Sequence, residues 1–215
     1  MKSFLDSDGG VIVDDLIRAM QENRAYLSEL DGEIGDGDHG INMSKGFRMA
    51  GERLEGEPHG FTESLKVLGG VLLMEIGGSM GPLYGTFFKK MARVSKDAEE
   101  IDAALFGEML TSAYEGIKTL GNAEVGDKTL LDTLHPAMEA YARVVGNGGT
   151  FDDALAAIAE AAERGKESTR DMVARVGRAA RLGERSRGHL DAGATSCWII
   201  LDSMSGSMRK LLGSD

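Results

Sequence analysis

An all-α fold is the class this sequence predicts, and three observations predict it. Apolar residues recur at helical spacing along most of the chain. Alanine, leucine, methionine and glutamate are abundant, whereas β-branched alternation is scarce. Glycines then punctuate the joints between the periodic segments. Roughly eight or nine helices joined by short loops imply an antiparallel array around one core. In order, Val11, Leu16, Ile17, Met20, Leu27 and Leu30 form one apolar stripe, continued by Ile41, Met43, Phe47 and Leu54. Residues 65–76 read as a more buried helix and 83–94 as the next. Segments 103–120, 130–145, 151–164, 168–180 and 195–212 complete the set. Gly77-Gly78, Gly121, Gly126, the run from Gly146 to Gly149, and Gly206 mark joints. Boundaries are least defined over 76–88, where glycines and Pro82 interrupt the pattern.

Composition narrows the function. A chain of 215 residues without a dividing linker reads as one domain, 1–215, with its own core. Its net charge of −11 argues against nucleic acid and anionic membranes as partners. The single cysteine, Cys197, cannot form an internal disulfide, which fits a reducing compartment. The first ten residues lack the apolar core of a signal peptide, and no apolar run reaches the length of a bilayer span. The expected location is cytoplasmic.

The most informative stretch is Asp31-Gly-Glu-Ile-Gly-Asp36-Gly-Asp38-His39-Gly-Ile-Asn42. Carboxylates this close repel one another and must stay in water or share a cation. Hard divalent ions such as Mg²⁺ favour such oxygen ligands and complete their shell with water and phosphate. Glycines at 32, 35, 37 and 40 let the backbone fold tightly enough for the side chains to converge. The plainer reading is a solvated acidic turn with Asp38 as helix N-cap. The density of aspartate, His39 and Asn42 favours a metal–phosphate site.

Three further segments carry candidate chemistry. Gly77-Gly78-Ser79-Met80-Gly81-Pro82 is either a close-packed turn or a turn whose N–H groups cradle phosphate. It also matches the Gly-x-Ser-x-Gly elbow of serine hydrolases, which needs a strand before the serine; residues 64–76 read as helix. Gly126-Asp127-Lys128-Thr129 opens a helix, as an ordinary cap or a phosphate contact, but is no Walker loop. The glycine- and arginine-rich run from Gly177-Arg178 to Thr195, with Arg185 and Arg187, suits a phosphate or an acidic partner. Familiar metal motifs fail: an EF-hand begun at Asp36 would have Phe47 at its twelfth position, and His-Glu-x-x-His is absent. His59 and His135 read as surface or packing residues, and the twelve methionines as core filler.

Four of these motifs together resemble the L subunit of dihydroxyacetone kinase. They are Asp-Gly-Glu-Ile-Gly-Asp-Gly-Asp-His-Gly-Ile-Asn-Met, Gly-Gly-Ser-Met-Gly-Pro-Leu-Tyr-Gly-Thr-Phe-Phe, Gly-Asp-Lys-Thr, and Gly-Glu-Arg-Ser-Arg-Gly-His-Leu-Asp-Ala-Gly-Ala-Thr-Ser. Their order and spacing match that family from about residue 26 to residue 201. The resemblance implies an antiparallel eight-helix barrel with the nucleotide at one end. It implies that Asp31, Asp36 and Asp38 bind two Mg²⁺ ions bridging to ADP or ATP phosphates. It places His39, Gly40, Ile41, Asn42, Ser79, Met80, Gly121, Leu130, Arg178, Asp191 and Gly193 at nucleotide-contact positions. No protein side chain need be phosphorylated, because metals, amide N–H groups and arginine suffice for transfer. Two departures stand out: Met80 occupies a place where relatives often carry a small hydroxyl residue, and Ala192 replaces the proline of Asp-Pro-Gly. The implied partners are a sugar-binding K subunit and, in the phosphotransferase-linked version, an M-subunit phosphocarrier; a homodimer stays open. Alternatives at this point are an ATP-dependent keto-tetrose or triose kinase subunit and an ADP-loaded adaptor of a transcription factor.

Overall fold

A computed structural model describes residues 3–56 and 58–213. Nine α-helices run through these residues: α1 (Gly10–Glu22), α2 (Arg24–Ile34), α3 (His39–Leu54), α4 (Phe61–Glu75), α5 (Met80–Val94), α6 (Ala103–Gly121), α7 (Leu131–Gly146), α8 (Phe151–Ser168) and α9 (Ala192–Leu211). From α2 onward each helix packs on the next, and α9 returns to α2, so eight antiparallel helices close a ring. Helix α1 lies outside this cycle, against α9, α3 and α4. The interior is filled by Phe47, Phe87, Phe88, Met91, Leu110 and Ile200, each at most 1% exposed. Phe88 meets both Phe47 and Phe87 edge to face.

Two expectations about helices require correction. The stripe from Val11 to Leu30 spans two helices, because the Asn23 amide turns back onto the Ala19 carbonyl (2.9 Å) and closes α1. Segment 168–180 is not a helix. After a short 3-10 turn, Thr169–Asp171, the chain runs irregularly to a second, kinked 3-10 segment, Ala179–Ser186. Gly177 takes φ +72° and cannot continue a right-handed helix there. The chain also contains a short antiparallel ribbon, β1 (Ser3–Leu5) with β2 (Glu100–Asp102), in which Phe4 pairs with Ile101. Phe4 turns inward against Phe61 and Phe151 and anchors the ribbon to the core.

The up-and-down order decides where chemistry can sit. Helix α6 starts directly from the ribbon and runs 19 residues, about 28 Å at 1.5 Å per residue, to the opposite end. At that opposite end lie the N-termini of α3, α5, α7 and α9, interleaved with the C-termini of α2, α4 and α6. No helix among the described residues is long and apolar enough to cross a membrane.

Candidate functional site

The four helix N-termini surround a cavity of about 280 Å³. First-turn N–H groups without an intrahelical partner and aligned peptide dipoles make a helix N-terminus a favourable place for an anion. Leu83, Ile117, Ala123, Leu131 and Val176 supply apolar lining, and Asp31, Asp36 and Asp38 supply acidic lining.

Asp31, Asp36 and Asp38 each offer a carboxylate oxygen, and these oxygens all lie within 4.8 Å of one another. Asp31 is not in a loop, as its acidic surroundings imply, but in the last turn of α2, where the helix dipole disfavours a negative charge. Its carboxylate is compensated from the next helix: Oδ2 accepts the backbone N–H of His39 at 3.2 Å. Gly35 makes this possible, since a Cβ there would meet Asp31 Oδ1 at 2.3 Å. Between the other two acids Gly37 adopts φ +75°, the left-handed turn that brings Asp36 and Asp38 to one side. Asp38 occupies the N-cap position of α3, but its side chain makes no capping hydrogen bond. Asp36 and Asp38 are about half exposed, and the Arg178 guanidinium pairs with Asp36 and lies 3.9 Å from Asp38.

Behind the acids a polar chain crosses three helices. His39 Nε2 is 2.8 Å from Ser196 Oγ, which is 2.7 Å from Tyr84 Oη; Tyr84 also donates to the Gly193 carbonyl at 2.9 Å. Desolvation lowers the His39 pKa to about 4, against an opposing pull from Asp31, so the ring is neutral near pH 7. Asp191 caps α9 by accepting the Ala194 N–H at 2.7 Å. Desolvation raises its pKa to about 6, although that hydrogen bond and Lys128 oppose the shift.

The glycine-rich turn before α5 is built by close approach. A Cβ at Gly81 would lie 2.0 Å from the Ile76 carbonyl oxygen, so only glycine lets α5 start against the end of α4. Ser79 is the N-cap residue of α5, preceded by helix α4 and a short turn, so the strand that a hydrolase elbow requires is missing. Asn42, Ser79, Met80, Gly121, Leu130 and Gly193 all line the cavity, together with His39, Arg178, Asp191 and the three acids. Gly40 and Ile41 do not. Gly40 sits where α3 crosses α2, with a Cβ position 2.1 Å from the Arg24 carbonyl oxygen, and Ile41 points outward, 48% exposed. His59 and His135 lie elsewhere, one 3.3 Å from Asp14 and the other stacked on Tyr114.

Tyr84 and Ser196 escape sequence reasoning. Both lie inside motifs quoted from the sequence, but nothing in those motifs gives either a role or points to His39, and only the ring closure of α9 brings them together. The expectation for Lys128 is also revised. It lines the cavity together with Thr129, but its side chain is 1% exposed and its ammonium is turned to protein, with Nζ donating to the carbonyls of Met172, Ser186 and His189. At the start of α7, Thr129 Oγ1 accepts the Leu131 N–H at 3.2 Å, while the Asp132 carboxylate reaches back to accept the N–H groups of Gly126 (2.5 Å) and Thr129 (2.7 Å) and braces the turn.

Comparison with known proteins agrees with this architecture. The DAK2 domain family matches residues 33–206. The ADP-binding subunit DhaL of PEP-dependent dihydroxyacetone kinase 2 from Listeria innocua is 36% identical, over 94% of each chain. The corresponding Escherichia coli subunit is 39% identical over 84% of this chain and 86% of its own. Among solved structures, the dihydroxyacetone kinase of C. freundii superposes with a TM-score of 0.70 at 23% identity. That match takes in 92% of this chain and 34% of the longer one, and supports the fold. With matches of this extent and identity, the chain belongs to the DAK2 domain family, among the L subunits of dihydroxyacetone kinases.

Proposed function

We propose that this chain is the nucleotide-binding subunit of a dihydroxyacetone kinase. It holds ADP or ATP with Mg²⁺ and serves phosphoryl transfer to dihydroxyacetone bound on a separate K subunit. One observation carries the reading: three clustered carboxylates face four helix N-termini across a single cavity. The N-termini attract phosphate and the carboxylates repel it, and both features serve one ligand only when divalent cations stand between acid and phosphate. Asp31, Asp36 and Asp38 are the residues that would hold the metal, and we assign them two ions. When bound, Mg²⁺ offsets the charge of the phosphates and polarises the group in transfer.

The chain's own contributions follow from its geometry. The start of α5 around Ser79 and Met80, together with the start of α9 at Gly193, presents amide N–H groups to the phosphates. Arg178 adds a positive charge in a planar fork that matches phosphate oxygens. Leu130, Gly121 and the apolar lining receive the base. Neutral His39, held through Ser196 and Tyr84, keeps its α3 N-terminus registered against Asp31 without titrating near pH 7. Relatives in Listeria and Escherichia coli are subunits of PEP-dependent kinases. That favours a phosphocarrier M subunit as the donor, with ADP as a resident cofactor and a cytoplasmic setting. Residues 1–215 act in this scheme as one nucleotide-binding unit.

Calorimetric titration of ADP with Mg²⁺ and with EDTA tests the site. Binding that needs Mg²⁺ is expected, and undiminished affinity in EDTA rejects it. The purified chain should not phosphorylate dihydroxyacetone alone, and adding a cognate K subunit with a phosphoryl donor should produce turnover.

A further inference from the structure

We propose that Lys128 is a positioning residue, the pin that shapes the strap of residues 172–191 so that Arg178 stands beside Asp36 and Asp38. The functional half of this proposal rests on the nucleotide-site reading above. An ammonium group carries three donors, and all three are used here: Nζ donates to the carbonyls of Ser186 (2.6 Å), His189 (2.6 Å) and Met172 (3.2 Å). Every acceptor belongs to the strap. The strap has no α-helical ladder, being irregular over 172–178, 3-10 over 179–186 and irregular again to 190, so the carbonyls of Met172, Ser186 and His189 look to a partner outside it. Lys128 gathers one near each end of the segment and one between, drawing it onto the turn before α7. The Arg175 N–H donates to the Asp127 carbonyl beside it at 3.1 Å, reinforcing the same junction.

The backbone supplies an independent sign. Lys128 takes φ +64°, a left-handed conformation that a side-chain-bearing residue adopts at a cost, where surrounding structure demands it. A glycine would relieve that strain and lose the pin. With its three protons committed, Lys128 has none to offer a phosphate, so it acts through Arg178 and not on the ligand.

Hydrogen exchange of the strap amides, measured without nucleotide, tests the structural claim. In Lys128→Met the amides of 174–188 should exchange faster while those of α4, α5 and α8 keep their protection; unchanged strap exchange overturns the proposal. Should Lys128→Met fail to fold, the intact protein decides by NMR of its lysine ammonium groups. A slowly exchanging ammonium assigned to Lys128 supports the cage, and rapid exchange of all of them overturns it. The functional claim is read from release of labelled ADP, which Lys128→Met should accelerate by about tenfold. Adding Lys128→Met to Arg178→Ala should then change release little, because both act through one group; full additivity overturns the positioning role. Absence of ADP binding by the unsubstituted protein would sink the nucleotide reading alone and leave the exchange result standing.

Discussion

Arg178 reaches from the strap to pair with Asp36 and lies 3.9 Å from Asp38, so one guanidinium addresses two of the three clustered acids. Both partners of the Asp36 pair are about half exposed, a setting in which ion pairs contribute only about 0–1 kcal/mol to stability. The arrangement therefore makes more sense as charge balance at a binding site than as a structural clamp.

Substitutions at this cluster should separate stability from binding. Arg178→Ala should shift the melting temperature little yet weaken Mg²⁺-dependent ADP binding. Asp36→Asn and Asp38→Asn each remove a charged ligand and should cost more than the ~10–100-fold typical of outer-shell changes. Calorimetry at saturating Mg²⁺ checks the order. Equal ADP affinity in Asp36→Asn and the parent would remove Asp36 from the metal site.

Two desolvated groups should give the stability–pH profile opposing slopes. The folded pKa of His39, about 4, lies below its ordinary 6.5, so between those values the unfolded chain binds more protons and stability rises with pH. The folded pKa of Asp191, about 6, lies above its ordinary 3.8, so between those values the native state binds more protons and stability falls as pH rises. Each effect is on the order of 3 kcal/mol across its full window. His39→Gln should therefore lose the rising component over pH 4–6.5. Asp191→Asn, which still caps α9, should lose the falling component over pH 4–6 and gain stability at pH 7. Urea titrations across pH 4–7, without added cation or nucleotide, measure both; a parallel shift of either variant at all pH values contradicts the assignment.

Gly40 is expected to matter for packing. An alanine Cβ would stand 2.1 Å from the Arg24 carbonyl oxygen and 2.7 Å from the Ser28 backbone nitrogen, neither of which can move without separating α3 from α2. Gly40→Ala should destabilise by about 1–3 kcal/mol or more. Gly206 lies inside α9 and does not mark the joint its sequence position suggests; with open space around it, Gly206→Ala should instead be stabilising by about 0.5–1 kcal/mol. Thermal denaturation of the two variants gives opposite signs if the close approach at Gly40 is correctly described.

The legibility of this protein in its sequence follows the range of its interactions. Asp31, Asp36 and Asp38 are readable because their chemistry is concentrated in eight consecutive positions with glycines between them. The helices are readable because their apolar period is long, and α4 and α5 are found despite blurred ends at Ile76 and Pro82. The strap misleads because its alanines and arginines have helical propensity, while its carbonyls are claimed by Lys128 and its backbone turns at Gly177. Long-range partners outweigh local preference there. Ser196 and Tyr84 stay hidden for a related reason: their value lies in meeting His39, and nothing local to either records that meeting. The β1–β2 ribbon is too short for a period to register.

The last prediction concerns how long the nucleotide stays. A cofactor that is rephosphorylated in place must leave more slowly than the reaction turns over. The proposed site has the features that slow release would need: three clustered carboxylates, four helix N-termini around one cavity, and a strap tied to Lys128 through the Ser186 carbonyl. Met80 is nearly buried at the start of α5, so it leaves the contact there to backbone N–H groups and to Ser79, while Ala192 preserves the Asp191 cap without proline. The protein is therefore expected to purify with ADP bound and to exchange it slowly. The measurement is a chase of labelled ADP by excess ATP and Mg²⁺, run beside an assay with the K subunit. Retention across many turnovers with a phosphocarrier donor supports resident ADP. Loss of the label within one turnover, with sugar phosphorylation driven by K and free ATP, would establish ATP as the donor and ADP as a released product.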